Sequence, residues 1–115
     1  MTVDEVVKHC LAKPGAEETY PWGDAELVVK VGGKAFAFIG LTTGTVGVKC
    51  GADAEEAGEW RDRYPDDIAV SDYIGRYGWN RVRFTGSVPD DDVLELLDAS
   101  YDAVVAKLPK SKRPT

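Results

Sequence analysis

Apolar positions recur along this chain at two periods, and each change of period marks a new element. Val3, Val6, Val7, Cys10 and Leu11 fall at helical spacing. Thr2-Val-Asp-Glu5 ahead of them has the form of a capping box, and Pro14-Gly15 ends the segment. A helix over 2–13 is predicted. Glu17 to Asp24 has no period and reads as a loop, with Tyr20 and Trp22 expected to fold back onto the core.

From Glu26 the period drops to two. Leu27, Val29 and Val31 share one side of a strand. Gly32-Gly33 is a two-residue hairpin turn, and Lys34 to Leu41 is the return strand. Thr42-Thr-Gly44 turns again into Thr45 to Cys50, with Val46, Val48 and Cys50 on the core side. Asp53-Ala-Glu-Glu56 predicts a second helix, capped by Asp53 and finished before Pro65. Ile68 to Val70 reads as a short strand, Gly75 to Gly78 as a turn, and Trp79 to Phe84 as the last strand. Ser87-Val-Pro-Asp90 leads into the longest helix. Its apolar stripe is Val93, Leu94, Leu97, Tyr101, Val104, Val105 and Leu108, and Pro109 stops it.

The predicted order is α-β(3)-α-β(2)-α. An α+β fold follows, with an antiparallel sheet and the helices packed on one face. Residues 1–109 form the expected single domain, and 110–115 a basic, flexible tail. Leu97 and Tyr101, one turn apart on the last stripe, are expected in the core.

The last strand brings in the candidate chemistry. Asn80, Val82 and Phe84 share the core parity, so Trp79, Arg81 and Arg83 stand on the opposite face. Lys30 and Lys49 fall on that outer parity of their strands, and Arg76 lies in the turn before Trp79. Together these six residues are the candidate ligand surface. Arginine and lysine offer donors to phosphate or carboxylate, and tryptophan offers a ring to stack on.

Charge works against a broad nucleic-acid footprint. The net charge is −6, and the segment after Ala106 carries Lys107, Lys110, Lys112 and Arg113 with no acid. The remainder therefore holds −6 − 4 = −10. Such a body repels a phosphate backbone on average. Any anionic ligand must be met locally.

Other chemistries find little support. His9, the single histidine, has no evident partner in the sequence. The serines sit in no nucleophile elbow, and Gly32-Gly-Lys34 is a hairpin rather than a phosphate loop. The spacing of Cys10 and Cys50 fits no zinc or redox motif, so both are expected as reduced, buried thiols. The acidic groups at 53–59 and 90–92 sit where helices begin and complement the helix dipole. No catalytic, metal-binding or cofactor-binding residues are assigned. No apolar run approaches the ~18 residues of a membrane span, and a signal-peptide pattern is absent, so a cytoplasmic location is expected.

One resemblance covers nearly the whole chain. It is carried by Cys10-Leu11 with Pro14-Gly15, Pro21-Trp22-Gly23, Lys30-Val-Gly-Gly-Lys34-Ala-Phe36-Ala37, Val48-Lys49-Cys50, Trp79-Asn80 with Val82, and Ser100-Tyr101 through Lys107-Leu108. In their order and spacing these segments resemble the MmcQ/YjbR-like family of small bacterial proteins. The resemblance implies a frataxin/CyaY-type fold and DNA binding through a double-wing arrangement of hairpins. Here the segment before Trp79 carries Arg76 as its only cation.

The expected function is a non-catalytic binding module. Its outer sheet face would engage DNA or another anionic ligand through Lys30, Lys49, Arg76, Trp79, Arg81 and Arg83. The alternative is an adaptor domain that takes an acidic segment of a protein partner on the same face. Metal handling enters only by analogy of fold.

Overall fold

A computed structural model describes residues 1–114. Helix α1 spans Val3–Leu11. Strands β1 (Glu17–Thr19), β2 (Glu26–Val31), β3 (Lys34–Gly40) and β4 (Thr45–Lys49) follow, then α2 (Ala54–Arg63). The chain continues through β5 (Ile68–Val70), a 3₁₀ turn at Gly75–Tyr77, β6 (Trp79–Arg83) and α3 (Asp90–Ala106). A final 3₁₀ turn covers Lys110–Lys112.

The six strands form one sheet in the order β1-β2-β3-β4-β6-β5, with every pair antiparallel. The hairpin between β2 and β3 turns on Gly32 (φ 57°) and Gly33 (φ 82°). Two consecutive positive φ values are what a type I′ turn needs, and glycine adopts them without a steric penalty.

Local sequence accounts for the helix starts. Thr2 Oγ1 accepts from Glu5 N–H at 3.2 Å, and Glu5 Oε1 accepts from Thr2 N–H at 2.9 Å, which completes the predicted capping box. Asp53 caps α2 by accepting from Glu56 N–H at 2.9 Å. The α3 start has no side-chain cap, and Asp90, Asp91 and Asp92 place negative charge at its positive end instead.

The core lies between the sheet and the terminal helices. Leu27, Val29, Val31, Ile39, Val46, Val48 and Val82 point inward from the strands. Val93, Leu97, Tyr101 and Val104 of α3 and Val6 and Cys10 of α1 meet them. Asn80 takes an inward position despite its amide. It donates to the Ala57 carbonyl at 2.9 Å and accepts from Arg61 at 2.7 Å, so its burial leaves no polar group unpaired.

Two local features depart from the sequence reading. Glu17–Thr19 is an edge strand paired to β2, where a loop was expected. Its three residues are too short and too polar to show a period. Trp22 does not return to the core but lies on the outer face, 70% exposed, with its ring stacked on Phe38 at 6.2 Å. The second feature is a bulge. Val29 pairs with Ala37 but Lys30 pairs with Ala35, so Phe36 has no partner across the strand. The extra residue resets the parity of β3. Phe36 and Ala37 both enter the core, and Phe38 is turned outward.

Candidate functional site: the outer sheet face

Among the described residues no helix covers the second face of the sheet, and its character follows from strand register. One row runs Thr19, Val28, Phe38, Gly47, Arg81, Ala69 across all six strands. Gly47 lacks the side chain that would fill the middle of that row. The Phe38 side chain lies beside it: a Cβ at Gly47 would stand 3.4 Å from the Phe38 Cβ, in ordinary van der Waals contact. Trp22 stacks on Phe38 from one side, and Trp79 meets it edge to face at 5.5 Å from another.

Beside this aromatic group lies a cleft of about 480 Å³. Trp22, Phe38 and Gly47 line it from the sheet side, with Arg81 and Glu26. The loop Ser71–Ile74 forms the facing wall. Tyr73, at the tip of that loop, is 96% exposed and holds φ at 65°. The Ile74 N–H donates to the Asp72 carbonyl at 2.7 Å across it, the connectivity of a γ-turn. A non-glycine residue at positive φ is a strained position, and such strain concentrates at ligand sites.

The six residues chosen from sequence do share this side of the sheet or its margin, but they do not converge. Arg83 is held by Asp67, which accepts from its Nε at 2.7 Å and pairs with its Nη2 at 2.5 Å. Asp67 also accepts from the N–H and hydroxyl of Ser87. Those Ser87 bonds, then Arg83, pull the Asp67 carboxyl down to about 2. Lys49 Nζ donates to the Tyr77 carbonyl at 2.5 Å, and burial followed by the charge of Lys107 lowers its pKa. Arg76 stacks its guanidinium over the Tyr77 ring at 4.8 Å, outside the sheet. Lys30 sits toward the β1 edge, opposite Glu17 and Ala35. Trp79 flanks Phe38. Arg81 alone of the five cations lines the cleft, and it makes no ion pair among the described residues.

Sequence reasoning missed Trp22, Phe38 and Tyr73. The bulge hid Phe38, because unbroken alternation puts it on the same side as Phe36. Gly47 was the usable signal: a strand glycine on the outer parity marks a place where another group comes close.

Two expectations about reactive side chains change with the structure. His9 does have a partner: its Nε2 lies 2.7 Å from Asp98 Oδ1 on α3, and Lys13 Nζ meets the same oxygen at 2.5 Å. A sequence separation of 89 residues hid that contact. Both cysteines are free thiols; Cys10 is buried and Cys50 half-buried. Burial pushes Cys10 up to about 12 and Cys50 up to about 11, so neither is an activated nucleophile. Among the described residues no three His, Cys, Asp or Glu side chains gather as a metal-binding group. Among those residues, too, no helix is long and apolar enough to cross a membrane.

Fold and face together define a small α+β protein: one antiparallel sheet, helices on one side, and an aromatic cleft on the other. The chain belongs to the YjbR family, which matches residues 11–103. It is 32% identical over 113 residues to YjbR of Escherichia coli K12, described as an uncharacterized protein, covering 98% of this chain and 95% of that one. The crystal structure of Deinococcus radiodurans protein DR2400, of the DUF419 domain, superposes with a TM-score of 0.84 at 31% identity, covering 96% of this chain and 84% of that one. A Pseudomonas syringae protein shares the fold at a TM-score of 0.70 and 15% identity, covering 90% and 98%.

Proposed function

We propose that this protein is a non-catalytic binding module whose ligand surface is the outer sheet face. One observation carries the proposal: the cleft of about 480 Å³ lined by Trp22, Phe38 and Tyr73 together with Arg81, which enters no ion pair among the described residues. Exposed rings in a concave site favour a ligand that presents flat faces of its own. A single-stranded nucleic acid does so, since its unpaired bases stack on aromatic side chains with little regard to sequence. A duplex hides those faces and offers mainly phosphate, which the net charge of −6 disfavours. The two free thiols suit the reducing cytoplasm.

The same face supports a second reading. Trp22 and Tyr73 are both exposed there, and aromatic groups of this kind anchor protein partners. An acidic peptide segment would then meet Arg81.

Titration of an oligothymidylate single strand against its duplex with oligoadenylate, followed by tryptophan fluorescence, separates these readings. The single strand should bind more tightly. Its salt slope should be shallow, on the order of −1, because only one or two phosphates are met at about −0.7 each. Tighter binding of the duplex, with a steep slope, would return the account to backbone contact. No binding of either at low salt would leave the acidic peptide as the ligand.

A further inference from the structure

A second hollow lies at the end of the sheet where β3 begins and β4 ends. Its volume is about 390 Å³. Lys34 of β3, Lys49 of β4 and Lys107 at the end of α3 line it, with Trp79 as an aromatic wall and Ala103 and Leu108 in its apolar lining. Among the described residues no carboxylate lines it. None of the three lysines enters an ion pair among the described residues.

The strands open here for a reason visible in the hydrogen bonds. The Lys49 N–H donates to Ser100 Oγ at 2.9 Å instead of to the neighbouring strand, and Ser100 donates in turn to the Phe36 carbonyl at 2.6 Å. The bulge at Phe36 and the inserted serine therefore shape the site. Lys49 is oriented by its bond to the Tyr77 carbonyl. Like charge without an intervening anion is unfavourable, and the lowered pKa of Lys49, from burial and then Lys107, has the matching sign. The one acid that acts on Lys49, Glu56 of α2, is engaged by the Ala52 N–H at 3.0 Å. The negative end of α3 explains a cation at Lys107. It does not explain Lys34 or Lys49, which stand on strands.

We propose that this hollow binds a small phosphate-bearing planar ring: the three ammonium groups meet the phosphate dianion, and Trp79 with the apolar lining receives the ring. Three cations in one place match a dianion better than a single carboxylate, and lysine binds phosphate as a point charge. The site differs from the Arg81 cleft in position and in chemistry, and it does not depend on it.

Phenyl phosphate is the probe, with inorganic phosphate and phenol as the two halves of its chemistry. Binding is read from the indole N–H signals of the three tryptophans in a ¹H–¹⁵N NMR titration, assigned by tryptophan-to-phenylalanine variants. Phenyl phosphate should shift the Trp79 signal saturably, and each half should bind at least tenfold more weakly. Lys34→Met with Lys107→Met should weaken phenyl phosphate at least tenfold, whereas Lys110→Met with Lys112→Met, the same charge change outside the hollow, should leave it within twofold. Lys34→Met alone should give a smaller loss in the same direction. Equal losses from the two double variants, a response at Trp22 in place of Trp79, or no saturable shift would overturn the proposal. Inorganic phosphate binding as tightly as phenyl phosphate would overturn the role given to the ring.

Discussion

Ser100 Oγ on α3 donates to the Phe36 carbonyl on β3 at 2.6 Å and accepts from Lys49 N–H on β4 at 2.9 Å, so one helix hydroxyl completes the sheet where its ladder parts. The Phe36 ring packs edge to face on Tyr101, the next residue of that helix, at 5.2 Å. Ser100→Ala would strand a carbonyl and an N–H in a buried place. A loss of roughly 1–3 kcal/mol is expected in urea unfolding, against less than ~0.5 for Ser111→Ala on the surface. Equal effects would mean the ladder closes without the serine.

Leu97 tests the helix packing. It is 1% exposed and faces the sheet from the middle of α3. Leu97→Ala should cost about 2–5 kcal/mol, a large share of a typical total of ~5–15. A loss under about 1 kcal/mol in chemical denaturation would show that α3 is not held by its apolar stripe.

Asp67 ties the β5 end of the sheet to the start of α3 through pH. Its carboxyl stands at about 2, below the ordinary 3.8, because Ser87 and then Arg83 donate to it. A carboxyl depressed on folding stabilises the fold above its unfolded pKa, and that contribution is lost as pH falls through its folded one. Stability should therefore decline between about pH 4 and pH 2. Asp67→Asn should be less stable at neutral pH and flatter across that window. A variant with the same acid profile as the wild type would rule Asp67 out as the cause.

Arg81 and Arg83 look alike in sequence, yet they should behave differently. Arg83→Gln removes a partner of the buried Asp67 and should lower stability. Arg81→Gln breaks no ion pair among the described residues and should leave stability within ~0.5 kcal/mol while weakening single-strand binding. Thermal melts alongside the fluorescence titration read both effects. Binding unchanged by Arg81→Gln would remove it from the site.

The contrast between these two arginines shows what sequence can hold. Alternation placed Trp79, Arg81 and Arg83 on the outer face, and the register confirms it. Helical spacing likewise found Val6 and Cys10 of α1 and Val93, Leu97, Tyr101 and Val104 of α3, because each element announces its buried side through a short local period, but it took the half-buried Leu94 and Val105 into the stripe and left out the buried Leu96 and Ser100. Pairing between elements has no such period. That Asp67 occupies Arg83, that Asp98 meets His9, and that Trp22 crosses to Phe38 depend on distant segments brought together. The bulge at Phe36 broke alternation inside one strand and concealed the residue at the centre of the cleft.

The central claim is that rings, more than diffuse charge, hold the ligand on the outer face. Its most direct test compares Trp22→Ala with Tyr20→Ala, two exposed aromatics in one loop of which only Trp22 lines the cleft. The measurement is the affinity of each variant for the oligothymidylate single strand at fixed salt. Trp22→Ala should weaken binding at least tenfold, about 1.4 kcal/mol or more, and Tyr20→Ala less than twofold. Equal affinities for the two variants would contradict a stacking site at Trp22, Phe38 and Tyr73.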